Sequence, residues 1–286
     1  MNGIYVSTAC LRGGEDAAAV VAQYRQAGLG DIELGSTHRF RPGLLDDLAG
    51  NGGCRFIAHN YFPPPAEDFV LNLGAADPAV LARSRAFVHD NLPLLQRLGV
   101  ALYTVHAPYA VAAPNLGGVF PPDGAQDRAA TLAIFRESLR ELLPAAARHG
   151  ITMLVENHVV ASCNLVAGEN RLLPLAEAEE IVEFLAAPGL RGCGLLLDLG
   201  HLTVTARTLG FAPAAFMRRV APLTRVVHLS ENDGTRDEHR LPTAASVALL
   251  QAAGLLDRLL VIEGTGTIAE ITAAVRLLRE AAGGMN

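Results

Sequence analysis

Six residues of this 286-residue chain stand where a short apolar run ends: His59 after RFIA, His106 after LYTV, Glu156 after TMLV, Asp198 after GLLL, His228 after RVV and Glu263 after LLVI. A carboxylate behind such a run heads for the interior, where a charge without a partner is costly, and a divalent cation is the most economical partner for several at once. Two short spacings extend the set. Asp198-Leu199-Gly200-His201 puts an imidazole just after a carboxylate, and Asp237-Glu238-His239 lies in the stretch beyond His228. Together these are nine candidate ligands, five imidazoles (His59, His106, His201, His228, His239) and four acids (Glu156, Asp198, Asp237, Glu263), enough for more than one ion. Imidazole and carboxylate ligation without thiolate suits Zn²⁺ or Mn²⁺ and disfavours a structural zinc site. The plainer alternative is hydrogen bonding at strand ends, which requires Glu156, Asp198, His228 and Glu263 to satisfy one another without an ion. For Asp237 and His239 the alternative is a solvated loop, because TRDEHR is a charged stretch; the D-x-H spacing favours the site.

Residues so far apart in sequence meet only if the elements carrying them converge. The chain contains eight β-rich runs, GIYVS, DIELG, RFIAH, LYTVH, TMLVE, GLLLD, RVVHL and LLVIE, separated by stretches with helical spacing. Marked at Tyr5, Glu33, His59, His106, Glu156, Asp198, His228 and Glu263, they lie 26 to 50 residues apart, one strand-and-helix unit per gap. Helices are predicted over 15–27, 78–98, 125–148, 175–186, 213–220, 244–259 and 268–282, with a weaker one around 44–49. Gly99 and Gly150 supply left-handed caps where helix gives way to strand. Eight parallel strands with covering helices predict one α/β domain over residues 1–286, a (β/α)8 TIM barrel with its metal site at the C-terminal ends of the strands. An open doubly wound sheet would carry a Gly-rich phosphate fingerprint after its first strand, and TACLRGGED is not one. In a barrel His158, two residues past Glu156, points into the same mouth, YFPPPAEDF after His59 is an active-site loop, and Gly264 and Gly266 make room for a phosphate.

Composition narrows the chemistry. All 23 basic residues are Arg, so there is no Schiff-base lysine, no pyridoxal phosphate anchor and no P-loop lysine. Arg39 and Arg236 are then the candidate contacts to a substrate phosphate. The net charge of −6 and the 5% of aromatic residues make nucleic acid an unfavoured partner. Cys10, Cys54, Cys163 and Cys193 form no C-x-x-C and are expected to be small buried hydrophobes. Arg12 arrives before any signal-peptide core, and no window of about 18 residues is uniformly apolar, which predicts a cytoplasmic chain without a membrane span.

With IAHNY, TVHAPY, LVENH, LDLGH, HLSENDG with RDEHRLP, and VIEG, the chain resembles the xylose isomerase-like TIM barrels, the superfamily of sugar phosphate isomerase/epimerases and endonuclease IV, over nearly its whole length. The resemblance implies that Glu156, Asp198, His228 and Glu263 hold the catalytic metal. Through endonuclease IV it implies that His59, His106, His201, Asp237 and His239 complete a three-zinc cluster; through the epimerases, that His201 touches substrate. HLSENDG with DEHRLP and the three prolines after Tyr61-Phe62 favour the isomerase/epimerase branch. One departure from both branches is LPTAAS, where a Gly-x-Gly usually follows Leu-Pro.

The expected activity is a divalent-metal-dependent isomerisation or epimerisation of a small sugar or sugar phosphate, with one Mn²⁺ or Zn²⁺ favoured and up to three open. Glu156 and Glu263 act as base and acid while also holding the ion. The alternative is an endonuclease IV-like multinuclear zinc phosphoesterase, and a third is a metal-holding barrel without catalysis. A small carbohydrate is the expected partner, and a homo-oligomer is left open.

Overall fold

The computed structural model describes residues 3–14, 16–50, 52–112 and 120–283, so Glu15, where the first helix was expected to begin, lies outside them. The eight strands fall on the eight runs: β1 (Ile4–Ser7), β2 (Asp31–Leu34), β3 (Arg55–His59), β4 (Leu102–His106), β5 (Thr152–Glu156), β6 (Gly194–Asp198), β7 (Thr224–Leu229) and β8 (Leu259–Ile262). Each pairs in parallel with its sequence neighbours, and β8 returns to β1 through Tyr5 beside Val261, closing the barrel.

Helices α1 (Ala17–Gln26), α2 (Leu44–Ala49), α3 (Pro78–Arg97), α4 (Arg128–Arg148), α5 (Ala178–Leu185), α6 (Leu199–Leu209), α7 (Pro213–Val220), α8 (Ala244–Ala253) and α9 (Ile268–Gly283) surround it. Their starts are chemical. The Asp77 carboxylate accepts from Ala79 N at 2.8 Å ahead of Pro78, and that of Asp127 accepts from Ala130 N at 2.7 Å. Gly99 and Gly150 take φ of 70° and 72° where α3 and α4 end, as their placement predicted. On α3 the buried stripe is Ser84, Val88, Asn91, Leu92 and Leu95, one face turned to the strands. No helix among the described residues is long and apolar enough to cross a membrane.

The barrel interior explains why the site forms where it does. Strand residues alternate: Ile32, Leu34, Leu195, Leu197, Val227 and Leu229 pack outward against the helices, and the intervening ones face the axis. The pairing register stacks the inward residues in layers of four from alternate strands. Tyr5, Ile57, Leu154 and Val226 form an apolar layer low in the barrel. Above it come Glu33, Thr104, Leu196 and Val261, then Ser7, His59, Glu156 and His228. The mouth layer follows, with His106 and Asp198 and, just past the end of β8, Glu263. The change from apolar to polar therefore happens at the top of the lumen: Ser7, His59, His106, Glu156 and Asp198 are the last residues of their strands, and Glu33 and His228 the last but one.

Candidate functional site

Glu156, Asp198, His228 and Glu263 each bring one donor atom to a common point, all within 4.8 Å of one another. Nδ1 of His228 lies 2.8 Å from Oε2 of Glu263, 3.8 Å from Oδ2 of Asp198 and 3.9 Å from Oε1 of Glu156. Asp198 and His228 are wholly buried and Glu156 is 2% exposed. Yet Nδ1 of His228, Oδ2 of Asp198 and Oε2 of Glu156 have no well-directed hydrogen bond. Three carboxylates and an imidazole converging in this way fit a divalent cation.

Neighbouring residues hold these donors in place. Oδ1 of Asp198 accepts from His201 N at 2.7 Å, capping α6, which leaves Oδ2 for the cluster. The Asn157 side chain clasps the Asp198 backbone, its Oδ1 accepting from Asp198 N at 2.8 Å and its Nδ2 donating to the Asp198 carbonyl at 3.3 Å. Nδ1 of His201 donates to the Asn157 carbonyl at 2.8 Å, so its Nε2 turns to Oδ2 of Asp237 at 3.3 Å. That same oxygen lies 3.2 Å from Nε2 of His239. On the other flank, Nε2 of His106 and of His59 are 3.0 and 3.5 Å from Oε2 of Glu156, and the three make a second group of converging donors. All nine sequence-predicted ligands thus join one connected cluster.

Burial opposes every charge here, and the neighbours decide the outcome. Burial raises Glu156, but the imidazoles of His106, His59 and His201 hold it well below the usual carboxylate range. Glu263 is likewise raised by burial and brought low by His228. Asp198 goes the other way: burial, opposed by His201 and aided by Asp237, Glu156 and Glu263, pushes it up to about 7. Burial lowers His228 and His201, yet Glu263 and Glu33 bring the first, and Asp198 and Asp237 the second, well above the ordinary imidazole range. Burial keeps His59 below that range despite Glu156. A cation entering this cluster would displace protons from imidazole and carboxyl groups.

Two residues of the cluster were not expected. Glu33 is wholly buried, and its Oε2 accepts from Nε2 of His228 at 2.8 Å; the other is Asn157. His158 is 6% exposed, with Nε2 donating to the Pro108 carbonyl at 2.9 Å and its ring against Tyr109. Arg39 is exposed and lines a cleft of about 710 Å³ between the loops after β2 and β3, with His38, Phe40, Tyr61 and Phe69 among its other walls. The proline-rich loop therefore does border a cavity on the mouth side. Arg236 is 79% exposed, 3.6 Å from Glu238.

Two sequence features have local structural roles. A Cβ on Gly264 would stand 2.5 Å from the Arg240 carbonyl and from Cα of Leu241, and one on Gly266 2.7 Å from the Leu241 side chain. The glycines serve the close approach of two loops. Beside them the Glu270 carboxylate accepts from Thr267 N and Oγ1, both at 2.8 Å, so the start of α9 already meets an anion. LPTAAS is a capping segment: Thr243 caps α8, and Oε1 of Glu231 accepts from Thr243 N at 3.0 Å, Thr243 Oγ1 at 2.8 Å and Ser246 Oγ. Of the cysteines expected to be buried, Cys10 is, while Cys163 is exposed.

Comparison with known proteins agrees with this architecture. Residues 22–282 match the family model described as xylose isomerase-like TIM barrel. No curated protein matches the chain. Among solved structures, it is similar to a D-tagatose 3-epimerase-like protein, with 17% identity, 99% of this chain and 97% of that one covered, and a TM-score of 0.74. A Thermus thermophilus protein soaked with ZnCl2 shows 18% identity, 99% coverage of both chains and a TM-score of 0.64. A family 2 AP endonuclease from Brucella melitensis shows 16% identity, 94% and 96% coverage, and a TM-score of 0.64.

Proposed function

The chain belongs to the xylose isomerase-like TIM barrel family, and from that premise we propose that it is a divalent-metal-dependent isomerase or epimerase of a small, unphosphorylated carbohydrate. The observation that carries this reading is the convergence of donor atoms of Glu156, Asp198, His228 and Glu263 on one point at the mouth. These four would hold one Mn²⁺ or Zn²⁺, whose positive charge beside a substrate carbonyl would lower the cost of taking a proton from the neighbouring carbon. The chain's own residues move the proton. Glu156, kept ionised by its imidazole neighbours, accepts it, and Glu263, from a strand across the mouth, passes a proton taken from solvent to the other face of the carbon. His106 and His201, 26% and 13% exposed at the rim, are placed to hold substrate hydroxyls. Arg39 extends the contacts into the cleft. The Glu270 carboxylate at the start of α9 supports reading the substrate as unphosphorylated.

A second reading, phosphoester hydrolysis by a multinuclear cluster, is favoured by the donors that His59, His106 and the His201, Asp237, His239 chain place beside the first site. One experiment addresses both. Protein loaded with Mn²⁺ or Zn²⁺ is incubated with unphosphorylated ketoses in D2O, and metal per chain is counted by elemental analysis. Deuterium is expected on the carbon beside the carbonyl, with one ion per chain, and none in the chelated protein or in Glu156→Gln. Full exchange without metal overturns the proposal. Three ions per chain together with cleavage of abasic DNA establish the hydrolase instead.

A further inference from the structure

Glu33 occupies a position that barrels ordinarily fill with a branched aliphatic side chain. Its neighbours Ile32 and Leu34 face the helices, so Glu33 faces the axis, in the layer it shares with Thr104, Leu196 and Val261. It stands one layer beneath His228 and reaches it across the lumen. A wholly buried carboxylate is costly wherever an apolar group would serve. Its contact with His228 gives it a use.

We propose that Glu33 is the positioning carboxylate of the metal centre, fixing His228 with its proton on Nε2 and its Nδ1 turned to the ion; this rests on the metal reading above. A carboxylate only accepts, so the 2.8 Å contact places a ring proton on Nε2; the proton that Nδ1 shares with Oε2 of Glu263, also 2.8 Å away, is the one a cation displaces. Of the two imidazole nitrogens, the one engaged by a second partner dictates which is left to bind metal. The one left is Nδ1, the atom that faces Glu156, Asp198 and Glu263. The negative charge behind Nε2 also makes Nδ1 a stronger donor.

Glu33 also forms a group of converging donors with His59 and His228. Its contact is with Nε2 of His228, the nitrogen turned away from Glu156, Asp198 and Glu263.

The test uses purified full-length protein stripped of metal, titrated with Zn²⁺ and with Mn²⁺ alone against a chromophoric chelator. Glu33→Gln keeps the shape, and Glu33→Leu restores an apolar layer and guards against loss of folding. Both are expected to weaken metal binding about 10- to 100-fold while the stripped variants melt no lower than the parent. In ¹⁵N-imidazole spectra of the Zn²⁺-loaded parent, His228 is expected to show a metal-bound Nδ1 and a protonated Nε2. Unchanged affinity in both variants, or an ion on Nε2, overturns the role of Glu33 and leaves the metal reading standing. Failure of the parent itself to bind either ion removes both.

Discussion

His158 shows how burial turns one residue into a pH-dependent element of stability. Its imidazole, enclosed by burial and only partly compensated by the Pro108 carbonyl, is lowered to about 3 from the usual 6.5. The unfolded chain therefore takes up a proton below pH 6.5 that the native state refuses until about pH 3. The contribution is complete above pH 6.5 and is lost as pH falls, by at most about 1.4 kcal/mol per pH unit. In urea melts of chelated protein, His158→Gln, which keeps a donor for Pro108, is expected to reduce the stability lost between pH 7 and pH 5 by up to about 2 kcal/mol. An unchanged loss would mean that His158 is protonated in the fold. Legibility at this scale followed position along a strand. The nine cluster residues were readable because acids and imidazoles ended apolar runs or lay at short spacings from them. Glu33 escaped because Leu34 follows it, so it served only to mark the run. Yet its flanking Ile32 and Leu34 carry the alternation that turns it inward. Asn157 escaped because its work is done through Asp198, on a strand that pattern alone does not bring beside it.

At the scale of elements, the eight strands were legible and helix boundaries less so. The helix expected over 244–259 stops at Ala253, because Gly254 takes φ 68° and the chain must turn before β8 begins at Leu259. The one expected from residue 125 starts at Arg128, where the Asp127 cap sets it. Helix α6 was not anticipated. Its first turn is the Leu199-Gly200-His201 segment, which the spacing of candidate ligands had claimed, and Asp198 performs both tasks, capping with one oxygen and facing the cluster with the other. The two tasks separate by substitution. Asp198→Asn retains a capping oxygen, so the stripped variant is expected to unfold no more easily than the parent while metal affinity collapses. Asp198→Ala is expected to lose about 1 kcal/mol more through the cap. Urea melts and metal titrations of the stripped proteins check both, and parental affinity in Asp198→Asn would remove Asp198 from the ligand set.

Across the whole molecule, the donors of the central cluster come from β5, β6, β7 and the end of β8, and the histidines beside them from β3 and β4, so no local piece of the chain contains the site. The layered lumen adds a rule of parity. Each strand offers alternate residues to the axis, and an odd displacement exchanges its lumen set for its helix-facing set. One residue added in the 254–258 loop, ahead of β8, leaves Val261 and Glu263 on the even count and is expected to preserve metal content. The same residue added between Leu260 and Val261 puts Glu263 on the odd count, toward the helices, and is expected to abolish it unless a bulge absorbs the extra step. For insertions and deletions the site behaves as a reading frame with a period of two.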